Sequence, residues 1–158
     1  MINIKKKNKQ KYLKKKKKAI KVLKSYQNKE TSIEKKIREF LENEGIFFKQ
    51  EYGVECYVKE KRRYKVYDFY VSGTNAKGSI YHFLIEADGD YWHGSAYLEG
   101  DKPYSKLTKI QKSNIRNDKL KTNIAKQIGL PLLRFKEKDI KFNFDKVKDD
   151  ILNMINKF

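Results

Sequence analysis

From Thr31 onward, apolar residues recur at intervals that assign most of the chain to regular elements. Ile33, Ile37, Phe40 and Leu41 share one side of a helix, which Thr31-Ser32-Ile33-Glu34 opens in the manner of a capping box and Gly45 ends. Ile46 to Tyr52 reads as a strand or edge strand, and the basic segment through Lys59, Lys61, Arg62 and Arg63 as irregular. Tyr64 to Val71 alternates in polarity and is rich in aromatic and β-branched residues. Ser72 to Ser79 turns the chain and Ile80 to Ala87 returns, which predicts an antiparallel hairpin. A long helix is predicted over Ser105 to Gln127, ended by Gly129 and Pro131. At helical steps of about 100° it gathers Leu107, Ile110, Leu120, Ile124 and Ile128 on one side and Lys109, Lys112, Arg116 and Lys119 on the other. Leu130 to Phe135 reads as a short strand, and Phe144, Val147, Ile151 and Ile155 mark a C-terminal amphipathic helix. The order α-β-β-β-α-β-α is satisfied with short connections by helices flanking a central mixed sheet, an α/β fold.

With 158 residues the chain suits one domain with a substantial core. Its 38 basic and 20 acidic side chains give a net charge of +18, which directs attention to a polyanionic partner, nucleic acid ahead of an anionic membrane. The charge is unevenly spread. Residues 1–29 hold 13 Lys and no acid, and the remaining 129 residues carry 25 basic and 20 acidic groups, a net of +5. Residues 1–29 therefore read as a disordered or induced-helical arm, with Lys14, Lys15, Lys16, Lys17 and Lys18 as its densest run. It serves either solubility or nucleic-acid tethering. Residues 30–158 form the domain. Cys56 is the only cysteine, so an internal disulfide is excluded. With His82 and His93 as the only histidines the chain lacks a four-ligand Cys/His set, and no structural zinc is expected. No apolar run spans a membrane and no secretory signal is visible, so an intracellular setting is expected.

Chemistry is concentrated in Ile85-Glu86-Ala87-Asp88-Gly89-Asp90-Tyr91-Trp92-His93, nine residues with three carboxylates besides the only Trp and one His. Carboxylates ending a buried strand need a compensating partner, and a divalent cation is the usual one where Asp, Glu and His converge. Strand alternation puts Glu86 and Asp88 on one face, and Asp68 joins them if the hairpin register has the right parity. His93 is either a surface residue or a base titrating near neutrality. On the long helix Asn114 and Asp118 border the apolar sector and Lys121 lies inside it. Asp118 either pairs with Lys121 or an Arg, or faces the carboxylates. Glu34 either caps its helix or reaches the site. Tyr91 and Trp92 are either core residues or surfaces on which bases stack.

From Thr31 to about Phe135, roughly two-thirds of the chain, these segments resemble the very-short-patch-repair endonucleases and their homing-endonuclease relatives, within the PD-(D/E)xK nuclease superfamily. The resemblance is carried by Thr31-Ser32-Ile33-Glu34-Lys35-Lys36, Asp68-Phe69-Tyr70-Val71, Gly89-Asp90-Tyr91-Trp92-His93, Asn114 through Lys119, and Gly129-Leu130-Pro131-Leu132-Leu133-Arg134. It implies a restriction-endonuclease-like core. Asp68 becomes the metal-binding acid of the second strand, Glu34 the helical glutamate near the site, His93 the general base, and Asp118 the last acid of the homing relatives' Glu-Asp-x-His-Asp pattern. Glu86-Ala87-Asp88 stands where the superfamily has Glu-x-Lys, so activation of water passes from a lysine to His93. The zinc ligands of the mismatch-repair members are missing, and a homing-like or phage-type enzyme is the closer relative.

The function expected is a Mg²⁺-dependent, or Mn²⁺-dependent, DNA endonuclease of cytoplasmic or nucleoid-associated, phage- or virus-encoded origin. Its metal would sit on Asp68 with Glu86 or Asp88, and its phosphate affinity would come from the arm and from Lys109, Lys112, Arg116 and Lys119. A double-strand break would require a homodimer or two sequential nicks. The competing expectations are a non-catalytic nucleic-acid-binding module on this fold and an RNA-directed nuclease.

Overall fold

The computed structural model describes residues 30–58, 61–101 and 103–158. Its frame is helix α1 (Ser32–Asn43), strands β1 (Phe48–Val58), β2 (Lys61–Thr74) and β3 (Ile80–Asp88), short helices α2 (Asp90–His93) and α3 (Ser95–Leu98), a 3₁₀ turn (Tyr104–Lys106), helix α4 (Lys109–Gln127), strand β4 (Leu132–Lys136), and helices α5 (Glu137–Phe142) and α6 (Phe144–Asn156). The four strands form one sheet in the order β1-β2-β3-β4, antiparallel except for the parallel β3–β4 pair. This central mixed sheet flanked by helices matches a restriction-endonuclease-like α/β core. No helix among the described residues is long and apolar enough to cross a membrane.

Alternation along the strands divides the core between the two sheet faces. Phe69, Val71, Phe83, Ile85, Ala87 and Phe135 meet Ile33, Ile37, Phe40 and Leu41 of α1, Ile140 of α5, and Val147, Ile151 and Ile155 of α6. Val54, Tyr67 and Leu84 meet Ile124 and Ala125 of α4 on the other face. Burial of each such aliphatic or aromatic side chain contributes about 2 kcal/mol, which is what holds helices of this modest propensity in place. Asn75, itself buried, shapes the β2–β3 turn. Its Oδ1 accepts from the amides of Lys77 and Ser79, while Nδ2 donates to the Ile155 carbonyl of α6.

Several boundaries differ from the expectation. The basic segment before Tyr64 is not irregular: β1 and β2 continue as partners out to Val58↔Lys61, because cross-strand pairs such as Glu55–Arg62 stabilise polar strands as apolar ones are stabilised elsewhere. The long helix begins at Lys109, later than Ser105. Thr108 caps it through a reciprocal box in which its hydroxyl accepts from the Gln111 amide and Gln111 Oε1 accepts from the Thr108 amide. Leu107 is therefore buried without being helical, and Ile115 faces the interior, whereas Ile110 and Ile128 are exposed. The strand expected from Leu130 starts at Leu132, and α5 intervenes before the predicted C-terminal helix.

β2 also slips in its alternation. Tyr67 and Tyr70 both lie on the α4 face although Phe69 between them points the other way. Opposite this point the β1 register passes from Gln50↔Phe69 to Tyr52↔Tyr67, skipping Glu51, the only non-glycine among the described residues with positive φ (48°). The slip is what turns Tyr67 to the α4 face, while the β2–β3 register sets Asp68 beside Glu86, which senses its charge.

Candidate metal centre

The end of β3 brings Glu86 and Asp88 to the α4 face, and parallel pairing sets Glu86 beside Arg134 and Asp88 beside Lys136. After Gly89 the chain folds into α2, held at its start by Asp90 N–H donating to Glu137 Oε2 at 3.0 Å and across its end by Gln111 Nε2 donating to the Tyr91 carbonyl at 2.8 Å. Gly94 closes α2 with φ +66°. A Cβ there would stand 3.1 Å from Ile115 Cδ1, so glycine is what lets the His93 turn lie against α4.

His93 Nδ1 lies 2.7 Å from Asp118 Oδ2 and 3.5 Å from Asp88 Oδ1. Asp88, His93 and Asp118 each offer a ligand atom within 4.8 Å of the others, a half-buried group able to hold a metal ion. Asp88 Oδ1 is buried without a hydrogen-bond partner among the described residues. The donors fit a divalent cation: two hard carboxylates, one imidazole and a buried carboxylate oxygen that accepts no hydrogen bond from the described residues.

Behind this group stands a second layer of charge. Lys121 Nζ donates to both oxygens of Glu86, at 2.6 and 2.7 Å. Arg134 donates to Asp88 Oδ2 at 2.8 Å and to Asp118 Oδ1 at 3.4 Å, and its Nη2 is 3.7 Å from Glu86 Oε2. Asp68 Oδ2 accepts from the Ala87 amide at 2.7 Å. Four carboxylates thus share two permanent cations and one histidine. The excess appears in the acidities. Burial, then the charge of Asp68, pushes Glu86 up to about 7 against the pull of Lys121 and Arg134. Burial also raises Asp68, opposed by the Ala87 hydrogen bond and Lys121, and raises Asp88, opposed by Arg134 and His93. For His93 burial acts downward, but the hydrogen bond to Asp118 and the charges of Asp88 and Asp118 prevail and raise it. Asp118 is lowered, because His93 and Arg134 outweigh its burial.

The group opens onto a cavity of about 470 Å³, lined besides by Leu98, Ile115, Lys119, Thr122, Asn123 and Lys136. Of the other residues singled out from the sequence, Glu34 lies half-buried in the first turn of α1, outside the converging group. Tyr91 is exposed on α2, the side chain of Trp92 lies outside the described part of the structure, and so do Lys14, Lys15, Lys16, Lys17 and Lys18. Lys109, Arg116 and Lys119 are exposed on α4, and Lys112 lies over the Tyr104 ring at 5.0 Å. His82 is exposed, edge-on to Phe158. Arg134 and Gln111 received no role from the sequence. The signal for Arg134 was present, a cation inside the apolar strand Leu132-Leu133-Arg134-Phe135, and for Lys121 it was a cation inside an apolar helix sector.

No family model matches the sequence, and no curated protein or solved structure matches it significantly.

Proposed function

We propose that the chain is a metal-dependent endonuclease that hydrolyses phosphodiester bonds of DNA, in the manner of the homing-like and phage-type PD-(D/E)xK enzymes it resembles. The observation that carries this reading is the convergence of Asp88, His93 and Asp118 around a buried, unpartnered carboxylate oxygen. Asp88 and Asp118 would hold the cation, with Asp68 and Glu86 supplying negative field behind them. Mg²⁺ or Mn²⁺ held there would supply Lewis acidity toward the scissile phosphate. His93, donating Nδ1–H to Asp118, keeps Nε2 as its lone-pair nitrogen. That nitrogen would take the proton from the attacking water as its oxygen bonds to phosphorus, and the opposite P–O bond would break with the leaving oxygen protonated by a solvent water. Lys121 holds Glu86 in place, and the exposed cations of α4, with the 1–29 arm, supply phosphate affinity.

The test is supercoiled plasmid, linear duplex and single-stranded RNA incubated with the protein in Mg²⁺, Mn²⁺ or EDTA, alongside Asp88→Ala, Asp118→Ala and His93→Ala. Metal-dependent nicking or linearisation lost in all three variants supports the reading. A metal ligand and a base part company in a second measurement: His93→Ala is expected to keep the Mn²⁺-induced rise in melting temperature while losing cleavage, and Asp88→Ala to lose both.

A second reading is favoured by one observation, that Arg134 and Lys121 already cover Asp88, Asp118 and Glu86. A site whose acids are already engaged by cations of the chain suits a nucleic-acid-binding module without catalysis. Retarded but intact nucleic acid, with a melting temperature indifferent to Mn²⁺ and to alanine at the acids, would establish it.

A further inference from the structure

β1 and β2 outrun their neighbour. β3 pairs with β2 only over Phe69–Thr74, so the seven pairs from Tyr52↔Tyr67 to Val58↔Lys61 extend past it as a two-stranded ribbon. At about 3.4 Å per residue this is an extension of roughly 20 Å. It leaves the sheet at the end where Asp68, Glu86 and Asp88 lie. One face is seated: Val54 is buried, Lys65 Nζ donates to Asn117 Oδ1, and Tyr67 hydroxyl donates to the Lys121 carbonyl at 2.7 Å, both partners on the helix that carries Asp118. The other face is different. Tyr57 (71% exposed), Tyr64 (60%) and Val66 belong to neither core cluster, and Arg62 lies over the Tyr64 ring at 5.4 Å with its guanidinium held by Glu55. Arg63 is exposed on the ribbon's other face, opposite Cys56, and the segment between Val58 and Tyr64 carries Lys59, Lys61, Arg62 and Arg63 against Glu60 alone.

Solvated strands do not need two open tyrosines and a valine on one face. An aromatic and cationic surface of this kind is complementary to phosphates flanking base edges. A groove of B-form DNA about 12 Å wide admits a two-stranded antiparallel ribbon. A second copy of the chain is the weaker occupant, since pairing this face with itself would bring the cations of two tips together.

We propose that the Tyr52–Tyr67 ribbon is a groove-entering arm for double-stranded nucleic acid, with Tyr57 and Tyr64 against the groove wall and Arg62 and, from the ribbon's other face, Arg63 on phosphates, next to the end of the sheet that carries the Asp88–His93–Asp118 centre. The assignment rests on the nucleic-acid reading of that centre.

Its test is the affinity of the full-length protein for a fluorescent duplex in EDTA, over a salt series, against Arg62→Ser/Arg63→Ser and Tyr57→Ser/Tyr64→Ser. The arginine pair is expected to weaken binding at least tenfold and to make the salt dependence shallower by about two phosphates' worth of slope. The tyrosine pair is expected to weaken binding several-fold with the slope unchanged. Melting temperatures of the variants establish that they fold. Photo-crosslinking of a 5-iodouracil-substituted duplex to the unmodified protein, expected at Tyr57 or Tyr64, reads the contact without any substitution. Folded variants that bind as the unmodified protein does, with crosslinks elsewhere, overturn the ribbon assignment while leaving the nuclease intact. So does a change confined to oligomeric state. Weakened binding together with the crosslinks, in a protein that never cleaves, upholds the ribbon and removes the nuclease. A protein that binds no duplex removes the ribbon.

Discussion

Arg134 stands among three carboxylates that a metal would also seek, and its substitution separates these two claims on them. Arg134→Gln removes the cation common to Asp88, Asp118 and Glu86 and is expected to cost about 2 kcal/mol in EDTA. The same variant should gain more melting temperature from Mn²⁺ than the unmodified protein gains. Equal gains would mean that the arginine and the ion do not compete. Glu86 gives the site a pH dependence of definite sign. Its carboxyl is raised from an ordinary 4.5 to about 7, so between these values the folded chain holds a proton that the unfolded chain has lost. The stabilisation is complete below the lower value and disappears as pH rises through the higher one. Asp68 and Asp88 are shifted in the same direction. Denaturant titrations at about pH 5 and about pH 8 should therefore show the unmodified protein losing on the order of 1–3 kcal/mol relative to Glu86→Gln, and parallel behaviour would refute the assignment. The nine-residue acidic cluster was visible in the sequence because so many carboxylates so close to an apolar strand have no packing rationale. Arg134 and Lys121 were visible only as charges out of place, since which acid each reaches depends on strand pairing and helix docking across the core.

Helix α4 owes its position to a few polar contacts that periodicity does not reveal. Helical spacing counted from Leu107 puts Ile110 inside and passes over Ile115, because Leu107 is an extended residue before the Thr108 cap and does not share the helix's phase. Apolar spacing alone cannot tell where a helix begins; the Thr108–Gln111 box does. Thr108→Ala is expected to cost about 1 kcal/mol, read in thermal or denaturant unfolding. Gly94→Ala meets two obstacles at once, a left-handed backbone and the Ile115 side chain 3.1 Å from the added carbon. It should cost about 1–2 kcal/mol and, by shifting His93, lower cleavage further than its stability loss explains; cleavage falling only in step with stability would show that the His93 turn is not what the glycine protects. The hairpin of β2 and β3 was legible from alternation. The outer half of β1 and β2 was not, because the run Lys59 to Arg63 is charged throughout, and a run of charges reads as loop.

For the chain as a whole the dominant quantity is charge. With 13 of its 38 basic residues in the first 29 positions, the proposed arm and the domain would make separable contributions to polyanion binding. Deleting residues 1–29 should flatten the dependence of DNA affinity on salt between about 50 and about 200 mM, and an unchanged slope would assign the phosphate contacts to the domain. The sheet raises a separate matter, the order in which it is assembled. β1, β2 and β3 follow one another closely in the sequence and can pair early. β4 reaches β3 only after the intervening α2–α4 segment has closed, and the Arg134–Asp88 contact spans 46 residues. Asp68 is therefore gathered beside Glu86 and Asp88 before their arginine arrives, and the repulsion among these carboxylates opposes collapse until it does. Refolding is the step at which this matters most: it should be faster at mildly acidic pH or with divalent ions present, while the unfolding rate of the finished sheet follows the pairing that was made last.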